Sequence, residues 1–386
     1  MISFRRIFTI VCLFAAALPA QGASPAQVRA SHLQHGVSLS SWFAESNNYS
    51  IDHLRSYTTF ADIAHIHQLG FDHVRIPVDP TIFQCESSWD SCEKIVFLDQ
   101  VIQKAMAEQL SVILDFHPGT DYTHALLSNE QNVDTCLKLW SRIAAHYGRL
   151  NSEKIYLEVL NELGSSDAQA WGKILPRLIT AIRKEAPNST IIVQGAGNSD
   201  IWNLVQLPRI NDDNLIYNFH YYEPHTFTHQ GANWGLDFWR DVKNLPFPAD
   251  SAAVSAAQEQ TPSQAARWEM EQYRLDHWNA THISGDIAFV ARWARERNLP
   301  LLCDEFGVYR YNTHPQDRAR WIQATRQALE QNHISWTMWD YQGGFGLVRK
   351  ETGKTQDDAD VVVALGLKSA PATPKSPYSA NSKNKP

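Results

Sequence analysis

Short apolar runs alternate with longer amphipathic stretches from residue 33 to residue 366. Each run ends in polar or charged residues, and eight runs occur, at 35–40, 71–78, 110–117, 154–162, 190–195, 215–222, 300–307 and 334–340. Apolar runs of this length are typical of strands that are buried on both faces. The pattern therefore predicts eight strands, with room for a helix in each connection.

The stretches between the runs have the spacing of helices. In one of them Val133, Leu137, Trp140, Ala144 and Tyr147 follow one another at alternating steps of four and three. Such spacing gives a helix one apolar stripe, which packs on a sheet. Strands that alternate with helices indicate parallel strands joined by helical crossovers.

Eight strand–helix units in this length favour an α/β fold of the (β/α)8 TIM-barrel type. A doubly wound open sheet is the alternative. That fold usually has a glycine-rich first turn with the pattern GxGxxG, which the sequence lacks; the "GAG" at 195–197 lies late in the chain. We therefore expect one catalytic domain over residues 31–366.

The longest departure from the alternation is an insertion after strand six, at residues 223–281. It is too long for a simple strand-to-helix loop, and its pattern predicts a short helix at 264–278. In a barrel it would lie over the C-terminal rim of the strands, where it could form a wall of a substrate cleft. A purely structural insertion is the alternative.

The two ends of the chain differ in character from the middle. Arg5 and Arg6 precede the apolar stretch 7–18, and small residues follow, so residues 1–23 are predicted to be a signal peptide. A secreted or periplasmic protein without stable membrane insertion is expected. Residues 367–386 are rich in Pro, Ser, Lys and Asn and are predicted to be disordered.

Net charge and cysteine content bear on the possible partners, disulfides and metal sites of the protein. The net charge is −7 with both signs mixed along the chain, which argues against a nucleic-acid partner. Cys85 and Cys92 bracket a short polar loop and are predicted to form a disulfide, because export permits oxidation. Cys136 and Cys303 are expected to be buried thiols. No cysteine has zinc-site spacing, so neither a metal nor a cofactor is predicted.

Polar residues stand at or near the ends of most apolar runs. In a parallel barrel the carboxyl ends of all strands meet on one face, where the active site is built. A lone polar strand end is more often structural, but a whole set on one face points to function. The set is Arg75, His117, Asn161, Glu162, His220, Tyr222, Glu305 and Trp339.

Glu162 and Glu305 give this face two carboxyl groups, from strands four and seven. Cleavage of a glycosidic bond needs one carboxylic acid to protonate the leaving oxygen and a second carboxylate to attack carbon or activate water. Two close carboxylates also push their pKa values apart, so one stays protonated near neutrality. Arg75 is available to keep the other ionised.

These residues together resemble glycoside hydrolase family 5, the cellulase-like family of retaining glycosidases with clan A type barrels. The resemblance covers residues 33 to 366 and rests on "VRIP", "LDFH", "LNE", "FHYY", "DEFG" and "WTMWD" in the family's order. The Asn-Glu pair is usually followed by Pro in this family, whereas Leu163 follows it here.

The resemblance implies a role for each of these residues. Glu162 would be the general acid/base and Glu305 the nucleophile, while Asn161 would hydrogen-bond the sugar 2-hydroxyl. Trp339 would form the aromatic floor under the sugar at the cleavage site. Arg75, His117, His220 and Tyr222 would support the pair. Trp42, which follows strand one, is a candidate sugar platform, with core packing as the alternative.

An endo-β-1,4-glucanase acting on a polysaccharide or oligosaccharide, working as a monomer, is the leading prediction. An exo-β-1,3-glucanase is an alternative because "GVSLSSW" resembles the opening "GVNLGGW" of such enzymes. Mannan, xylan and bacterial exopolysaccharide are further candidate substrates. From other classes, an inactive carbohydrate-binding barrel would lack the two glutamates, and a metal-dependent barrel hydrolase would need a His-x-His pair on strand one, which is absent.

Overall fold

The computed structural model describes residues 22–85, 88–150, 153–351 and 354–368. Eight parallel strands close into a barrel, with neighbours in sequence order, so the predicted (β/α)8 fold is confirmed. Each strand falls inside one of the eight apolar runs. The strands are β1 (His35–Ser38), β2 (His73–Val78), β3 (Ser111–Phe116), β4 (Ile155–Glu158), β5 (Thr190–Gln194), β6 (Leu215–Tyr221), β7 (Leu301–Phe306) and β8 (Ser335–Met338).

Helices surround the barrel and fill the connections between its strands. In the described parts of the chain they are α1 (Pro25–Ala30), α2 (Ile51–Tyr57), α3 (Phe60–Leu69), α4 (Glu93–Ala107), α5 (Thr120–Ser128), α6 (Glu130–Tyr147), α7 (Ala168–Glu185), α8 (Ile201–Leu204), α9 (His225–Thr228), α10 (Ser251–Glu259), α11 (Gln264–Leu275), α12 (Ala280–Arg297), α13 (Pro315–Gln331) and α14 (Ala359–Ala364). A hairpin of β9 (Val348–Glu351) and β10 (Lys354–Asp357) follows β8. Short 3-10 turns occupy Pro80–Phe83, Trp89–Ser91 and Asp237–Asp241.

Helix α6 shows how the apolar stripe attaches a helix to the barrel. Four of the five residues with helical spacing are buried, and only Leu137 is half-buried. The side chain of Asn129 accepts a hydrogen bond from the Asn132 amide and caps the helix start. Trp140 spans the layer, because its indole nitrogen donates to the Val159 carbonyl at 3.0 Å.

The floor of the barrel is closed by α1. Ala26 and Ala30 pack against inward side chains of the strands, among them Tyr156, whose hydroxyl donates to the Arg29 carbonyl at 3.0 Å. The folded unit therefore extends further toward the N terminus than the predicted start at residue 31. This short, Ala-rich helix has too little apolar periodicity to be recognised in the sequence.

A register shift separates β6 from β7 near their carboxyl ends. Phe219 lies opposite Cys303, but the next pair is His220 and Glu305, so Asp304 is an extra residue on β7. This is a β-bulge, which bends a strand and re-aims the side chains beside it. As a result, the consecutive residues Asp304 and Glu305 both face the barrel interior, with carboxylate oxygens 4.0 Å and 2.5 Å from the guanidinium of Arg75.

The insertion after β6 carries α9, the turn Asp237–Asp241, α10 and α11. The helix predicted at 264–278 is present as Gln264–Leu275, whereas α10 was not predicted. Gln230 is fully buried and joins two segments of the insertion: its side chain accepts from the Leu245 amide at 2.8 Å and donates to the Phe227 carbonyl at 3.0 Å. The insertion thus has internal order of its own.

Four cysteines lie within the described residues, and their pairing follows the prediction. Cys85 and Cys92 are joined by a disulfide, and Cys136 and Cys303 are buried free thiols.

The predicted signal peptide lies outside the described residues except for residues 22–23, and the predicted tail lies outside them except for 367–368. Among the residues described, no helix is both long enough and apolar enough to cross a lipid bilayer.

Candidate active site

The carboxyl ends of the strands open into a cavity of about 1030 Å³. Seven of the residues predicted from the strand ends line it: His117, Asn161, Glu162, His220, Tyr222, Glu305 and Trp339. Arg75 lies directly beneath them and is fully buried. The fold therefore gathers on one face residues that are up to 264 positions apart in the sequence.

Glu305 is held at the bottom of this cavity by two donors. Arg75 Nη1 donates to its Oε1 at 2.5 Å, and the Tyr222 hydroxyl donates to its Oε2 at 2.8 Å. Burial raises the pKa of Glu305 and the charge of Glu162 adds to the rise, while His220 and Arg75 oppose it. Both oxygens of this carboxylate are thus fixed in position by hydrogen bonds.

Arg75 is the centre of a buried ionic network. Its guanidinium makes a paired contact with Glu158, with both N–O distances 2.8 Å, and lies 2.9 Å from Asp115. Burial opposes its charge, but these carboxylates and Glu305 raise the pKa of Arg75 further above its usual range. Each partner comes from a different strand, so Arg75 links β2 to β3, β4 and β7.

The end of β4 is fixed by backbone hydrogen bonds and by apolar neighbours. The Asn161 amide donates to the Phe116 carbonyl at 2.8 Å, and the Asn161 carbonyl accepts from the Gln194 side chain at 2.8 Å. Arg75 donates to the Asn161 side-chain oxygen at 2.9 Å. Leu163 is fully buried, so the residue that replaces the usual proline acts as an apolar anchor just after Glu162.

Glu162 projects from this anchored segment and contacts His220. The distance between its Oε1 and His220 Nδ1 is 2.9 Å, and the other ring nitrogen lies 3.4 Å from Asp304. Burial alone would lower the pKa of His220, but Glu305, Asp304 and Glu162 raise it well above its usual value. The side chain of Glu162 is 35% exposed, against 6% for Glu305.

The separation of the two glutamates decides which chemistry they suit. One carboxylate oxygen of Glu162 and one of Glu305 lie within 4.8 Å of each other. Retaining glycosidases hold their two carboxyl groups about 5–5.5 Å apart, whereas inverting enzymes need about 6.5–9.5 Å to fit a water molecule. The geometry matches the shorter distance, so direct attack on carbon by one carboxylate is sterically suited to this site.

His117 and Trp339 form one side of the site. Their rings stack at 5.9 Å, and His117 Nδ1 donates to Asp115 at 2.7 Å. Burial would lower the pKa of His117, but Asp115 and Glu45 raise it to about 10. Trp339 also packs with Tyr222 and Phe345 in a small aromatic cluster and lines the cavity.

Trp42, which was predicted as a candidate sugar platform, does not lie in the site. It has no exposed surface, packs against Phe43 and Phe97, and donates its indole nitrogen to the Leu54 carbonyl at 2.6 Å. It does not line the cavity. The alternative of core packing is therefore correct, and Trp42 cannot present its ring to a substrate.

Other cavity residues were missed because they lie in the connections after the strands, mostly on short helices and turns that have no strong sequence pattern. Trp202 follows β5 and is 49% exposed at the cavity edge. His225 and Trp239 come from the insertion and were missed in the same way, whereas the exposed Trp234 lines the cleft beside them and was a candidate platform from the sequence. The insertion therefore does wall the cleft. Asp340, next to Trp339, is buried in the cavity lining, and burial raises its pKa to about 6.

Two groups of described residues have the donor atoms and spacing to hold a metal ion. They are Glu158, His220 and Asp304, and Glu162, His220 and Glu305. Both rely on His220, whose surrounding carboxylates favour the protonated ring, which has no free lone pair to offer a metal. In addition, Arg75 already occupies both oxygens of Glu158. These clusters are better suited to hydrogen bonding than to metal binding.

Comparison with known proteins identifies the family to which this chain belongs. A family model for cellulases (glycosyl hydrolase family 5) matches residues 34–344. The chain belongs to glycosyl hydrolase family 5. It is therefore a retaining glycoside hydrolase with a carbohydrate substrate, and the resemblance found in the sequence is confirmed.

Relatives within family 5 are identical to this chain at about a quarter of the aligned positions. Endoglucanase 3 of Fibrobacter succinogenes is 26% identical over 372 residues, which cover 89% of this chain but 55% of the relative. Endoglucanase C of Acetivibrio thermocellus is 25% identical over 316 residues, 80% of this chain and 90% of the relative. Cel5A of Thermotoga maritima, solved in complex with cellobiose, has the same fold, with a TM-score of 0.69 and 24% identity over 88% of this chain and 99% of that one.

Proposed function

We propose that this enzyme is an endo-acting β-1,4-glucanase in which Glu305 is the nucleophile and Glu162 the general acid/base. The observation that carries the assignment of the pair is the separation of their oxygens, within 4.8 Å. This separation supports a double displacement, since it leaves no room for a water molecule between the second carboxylate and the anomeric carbon.

The surroundings of Glu305 support its role in attack. Arg75 and Tyr222 donate to its two oxygens and orient the carboxylate. In the first step a Glu305 oxygen bonds to the anomeric carbon, and the bond from that carbon to the leaving oxygen breaks. The product is a glycosyl ester on Glu305, and the departing sugar carries the proton supplied by Glu162.

Glu162 has the exposure that a proton carrier needs. Its side chain reaches solvent, so it can release and recover a proton, and His220 keeps it pointed at the cleft. In the second step Glu162, now ionised, takes a proton from water as the water attacks the anomeric carbon of the glycosyl ester, and the bond from that carbon to the Glu305 oxygen breaks. The sugar leaves with its original anomeric configuration, and Glu305 returns as a carboxylate.

The shape of the cleft supports cleavage inside a chain. Its lining includes Ser41 and Glu45 after β1 and Trp202 after β5. Strands one and five lie opposite each other in an eight-stranded barrel, so the cleft crosses the whole face with the glutamate pair inside it. A polymer can thus extend on both sides of the cleaved bond. The relatives named endoglucanase favour the same action and a β-glucan substrate.

A panel of soluble polymers tests the proposal: carboxymethyl-cellulose, mixed-linkage glucan, laminarin, mannan and xylan. We expect the highest kcat/KM on the polymers with β-1,4-glucosyl bonds, and a mixture of oligosaccharides from the first minutes of reaction. Hydrolysis of laminarin with glucose as the sole early product would instead identify an exo-β-1,3-glucanase. Preference for mannan or xylan would reassign the substrate while leaving the chemistry intact.

The roles of the two glutamates have their own test. A 2-fluoro glucoside with a good leaving group should label Glu305, and mass spectrometry of the digested protein locates the ester. We expect Glu305→Gln and Glu162→Gln to lose about 10³-fold or more in kcat while keeping the folded circular dichroism spectrum. Label on neither glutamate, or full activity of either variant, contradicts the assignment.

We also propose that the protein is exported with removal of residues 1–23 and acts as a monomer. The Arg5-Arg6 pair before an apolar stretch supports export. N-terminal sequencing of the protein recovered from the periplasm or medium tests the first point, and an N terminus at Met1 contradicts it. Sedimentation velocity tests the second, with a dimer as the contrary result.

A further inference from the structure

A second cavity of about 750 Å³ lies beside the active-site cleft. Its walls come from α2, from the loop after β7, and from the segment that leads from β8 into β9. The residues that matter for its chemistry are His53, Tyr57, Arg310, Tyr311, Arg349 and Lys350. None of them belongs to the catalytic network around Arg75.

Positive charge dominates this cavity. Arg310, Arg349 and Lys350 face one carboxylate, Glu351, among the described lining residues. Lys350 is neutralised by Asp62 at 2.7 Å. Arg310 donates to the carbonyls of Val348 and Gly346, and neither Arg310 nor Arg349 forms an ion pair within the described part of the chain. The guanidinium of Arg349 is therefore available to an anion, and Arg310, which also donates to the Gln342 carbonyl, adds a positive charge that no carboxylate in the described part of the chain neutralises.

The residues behind these arginines also carry an excess of positive charge. Arg318 is buried behind them and binds Asp358 at 2.9 Å. Burial lowers the pKa of Arg318 to about 10, and repulsion from Arg310 and Arg349 contributes despite the favourable effect of Asp358. An anion placed between Arg310 and Arg349 would relieve this repulsion.

Aromatic rings give the cavity a second kind of contact. Tyr311 is 65% exposed, and the Arg310 guanidinium lies 5.6 Å from the centre of its ring. Tyr57 is half-buried, with its ring 5.0 Å from that of His53. Exposed tyrosine rings stack on the apolar faces of sugars, while arginine forks pair with carboxylates through two parallel hydrogen bonds.

The cavity and the cleft share a wall. Gln342 lines the cavity, while Asp340 and Gly344, on either side of it in sequence, line the cleft. The Arg310 amide donates to the Gly344 carbonyl at 3.0 Å, and the Gln342 side chain donates to the Tyr57 carbonyl at 3.0 Å. The cavity that holds the two arginines therefore lies across a single short loop from the cleft.

We propose that this cavity is a subsite for an acidic sugar, in which Arg349 and Arg310 bind a carboxylate and Tyr311 packs on the ring. The acidic unit is either part of the polysaccharide in the cleft or a separate soluble saccharide. The first source rests on the function proposed above, because it requires hydrolysis in the cleft. The second does not, so the two proposals can fail independently.

The test uses Arg349→Gln in the full-length enzyme, since Arg310 also holds backbone carbonyls of the wall. KM is measured on carboxymethyl-cellulose and on the neutral hydroxyethyl-cellulose. In parallel, calorimetry measures binding of methyl β-glucuronide, with methyl β-glucoside as its neutral match. Arg292→Gln, an exposed arginine on α12, is the matched control for loss of one positive charge.

For an acidic unit within the polymer we expect Arg349→Gln to raise KM on carboxymethyl-cellulose about threefold to tenfold, with KM on the neutral polymer unchanged. The difference should vanish in 0.5 M NaCl, where the screening length is roughly 4 Å. For a separate saccharide, glucuronide binding is lost in Arg349→Gln while both KM values stay the same. The proposal is overturned if Arg349→Gln affects both polymers equally or not at all and glucuronide binding is also absent or unchanged by the substitution.

Discussion

Glu162 and Glu305 are chemically identical side chains in different surroundings. Glu305 has both oxygens engaged by Arg75 and Tyr222 at the bottom of the cleft, whereas Glu162 is one-third exposed and has a single close partner, His220. A fixed, buried carboxylate suits attack, and a solvent-accessible one suits proton exchange. The proposed division of labour, with Glu305 as nucleophile and Glu162 as acid/base, thus follows from the different environments of the two side chains.

The hydroxyl of Tyr222 should set the acidic limit of activity. Its hydrogen bond stabilises ionised Glu305, so Tyr222→Phe raises the Glu305 pKa further above its usual value. Because Glu305, as the proposed nucleophile, must be ionised to attack, the acidic limb of the kcat/KM profile moves to higher pH. We expect kcat/KM at its optimum to fall about 10- to 100-fold.

Tyr309→Phe is the control for this prediction. Tyr309 packs on the same aromatic cluster, but its hydroxyl makes no hydrogen bond within the described residues. The Tyr309→Phe substitution should leave both kcat/KM at its optimum and the pH of the acidic limb unchanged. A limb that stays in place in Tyr222→Phe would show that the hydroxyl does not act on the nucleophile.

Asp340 should make stability depend on pH. Its Oδ2 accepts from Ser40 and from the Gly343 amide, but Oδ1 is buried without a hydrogen-bond partner, and burial raises the folded pKa to about 6. The native state therefore holds this proton more tightly than the unfolded chain does. As pH rises from about 4 to 6, the wild type should lose roughly 1–3 kcal/mol relative to Asp340→Asn.

Urea unfolding at pH 4 and pH 7 measures this difference. Asp276→Asn, an exposed aspartate at the end of α11, should show no such change with pH. A constant difference between wild type and Asp340→Asn at both values would contradict the prediction, because it would mean that the folded pKa is ordinary.

Single residues show where the sequence is and is not informative. His117 and Glu305 were found because strand ends of a parallel barrel meet on one face. Trp42 was misplaced because an indole at a strand end suits a platform and a core equally well, and only its contact with Leu54 decides. Asp340 was missed because an acid beside Trp339 has no motif of its own.

At the scale of elements, Gln230 should control the order of the insertion. Gln230→Leu leaves the Leu245 amide without its buried acceptor, so we expect the free energy of unfolding to fall by about 1–3 kcal/mol. Hydrogen exchange at the Leu245 amide should quicken, and KM should rise because the insertion carries Trp234 and Trp239 into the cleft.

Gln131→Leu, an exposed glutamine on α6, serves as the comparison and should change none of these quantities. Slow exchange at Leu245 in the Gln230 variant would show that other contacts suffice to hold the insertion in place.

Elements with strong periodicity were predictable and irregular ones were not. All eight strands fall within apolar runs because strands buried on both faces must be apolar. Helix α10 has one buried residue, Val254, so no apolar stripe marked it. The position of the insertion over the cleft followed from the barrel topology, but its internal fold depends on hydrogen bonds such as those of Gln230, which no periodicity reveals.

At the scale of the whole molecule, Arg75 should be a main support of the barrel. It joins four strands, and its removal takes from Glu158 the guanidinium that holds both of its oxygens and leaves Asp115 with His117 as its remaining close partner in a fully buried site. Breaking a buried ion pair from one side costs about 3–5 kcal/mol, and Arg75→Met should lower the free energy of unfolding by at least that much.

Urea denaturation of Arg75→Met beside Arg292→Met, which removes an exposed arginine, tests this prediction. The exposed change should stay within about 0.5 kcal/mol of the wild type. A loss below about 1 kcal/mol in Arg75→Met would show that the carboxylates simply take up protons.

The bulge on β7 has to be kept in any redesign of this enzyme. In an evenly alternating strand, one of two adjacent acids would point outward to the helices. The extra residue lets Asp304 support His220 while Glu305 reaches the cleft. A β7 grafted from a regular barrel, or shortened by one residue, would deliver only one of these carboxylates. Transplanting the catalytic strand therefore means transplanting its irregularity.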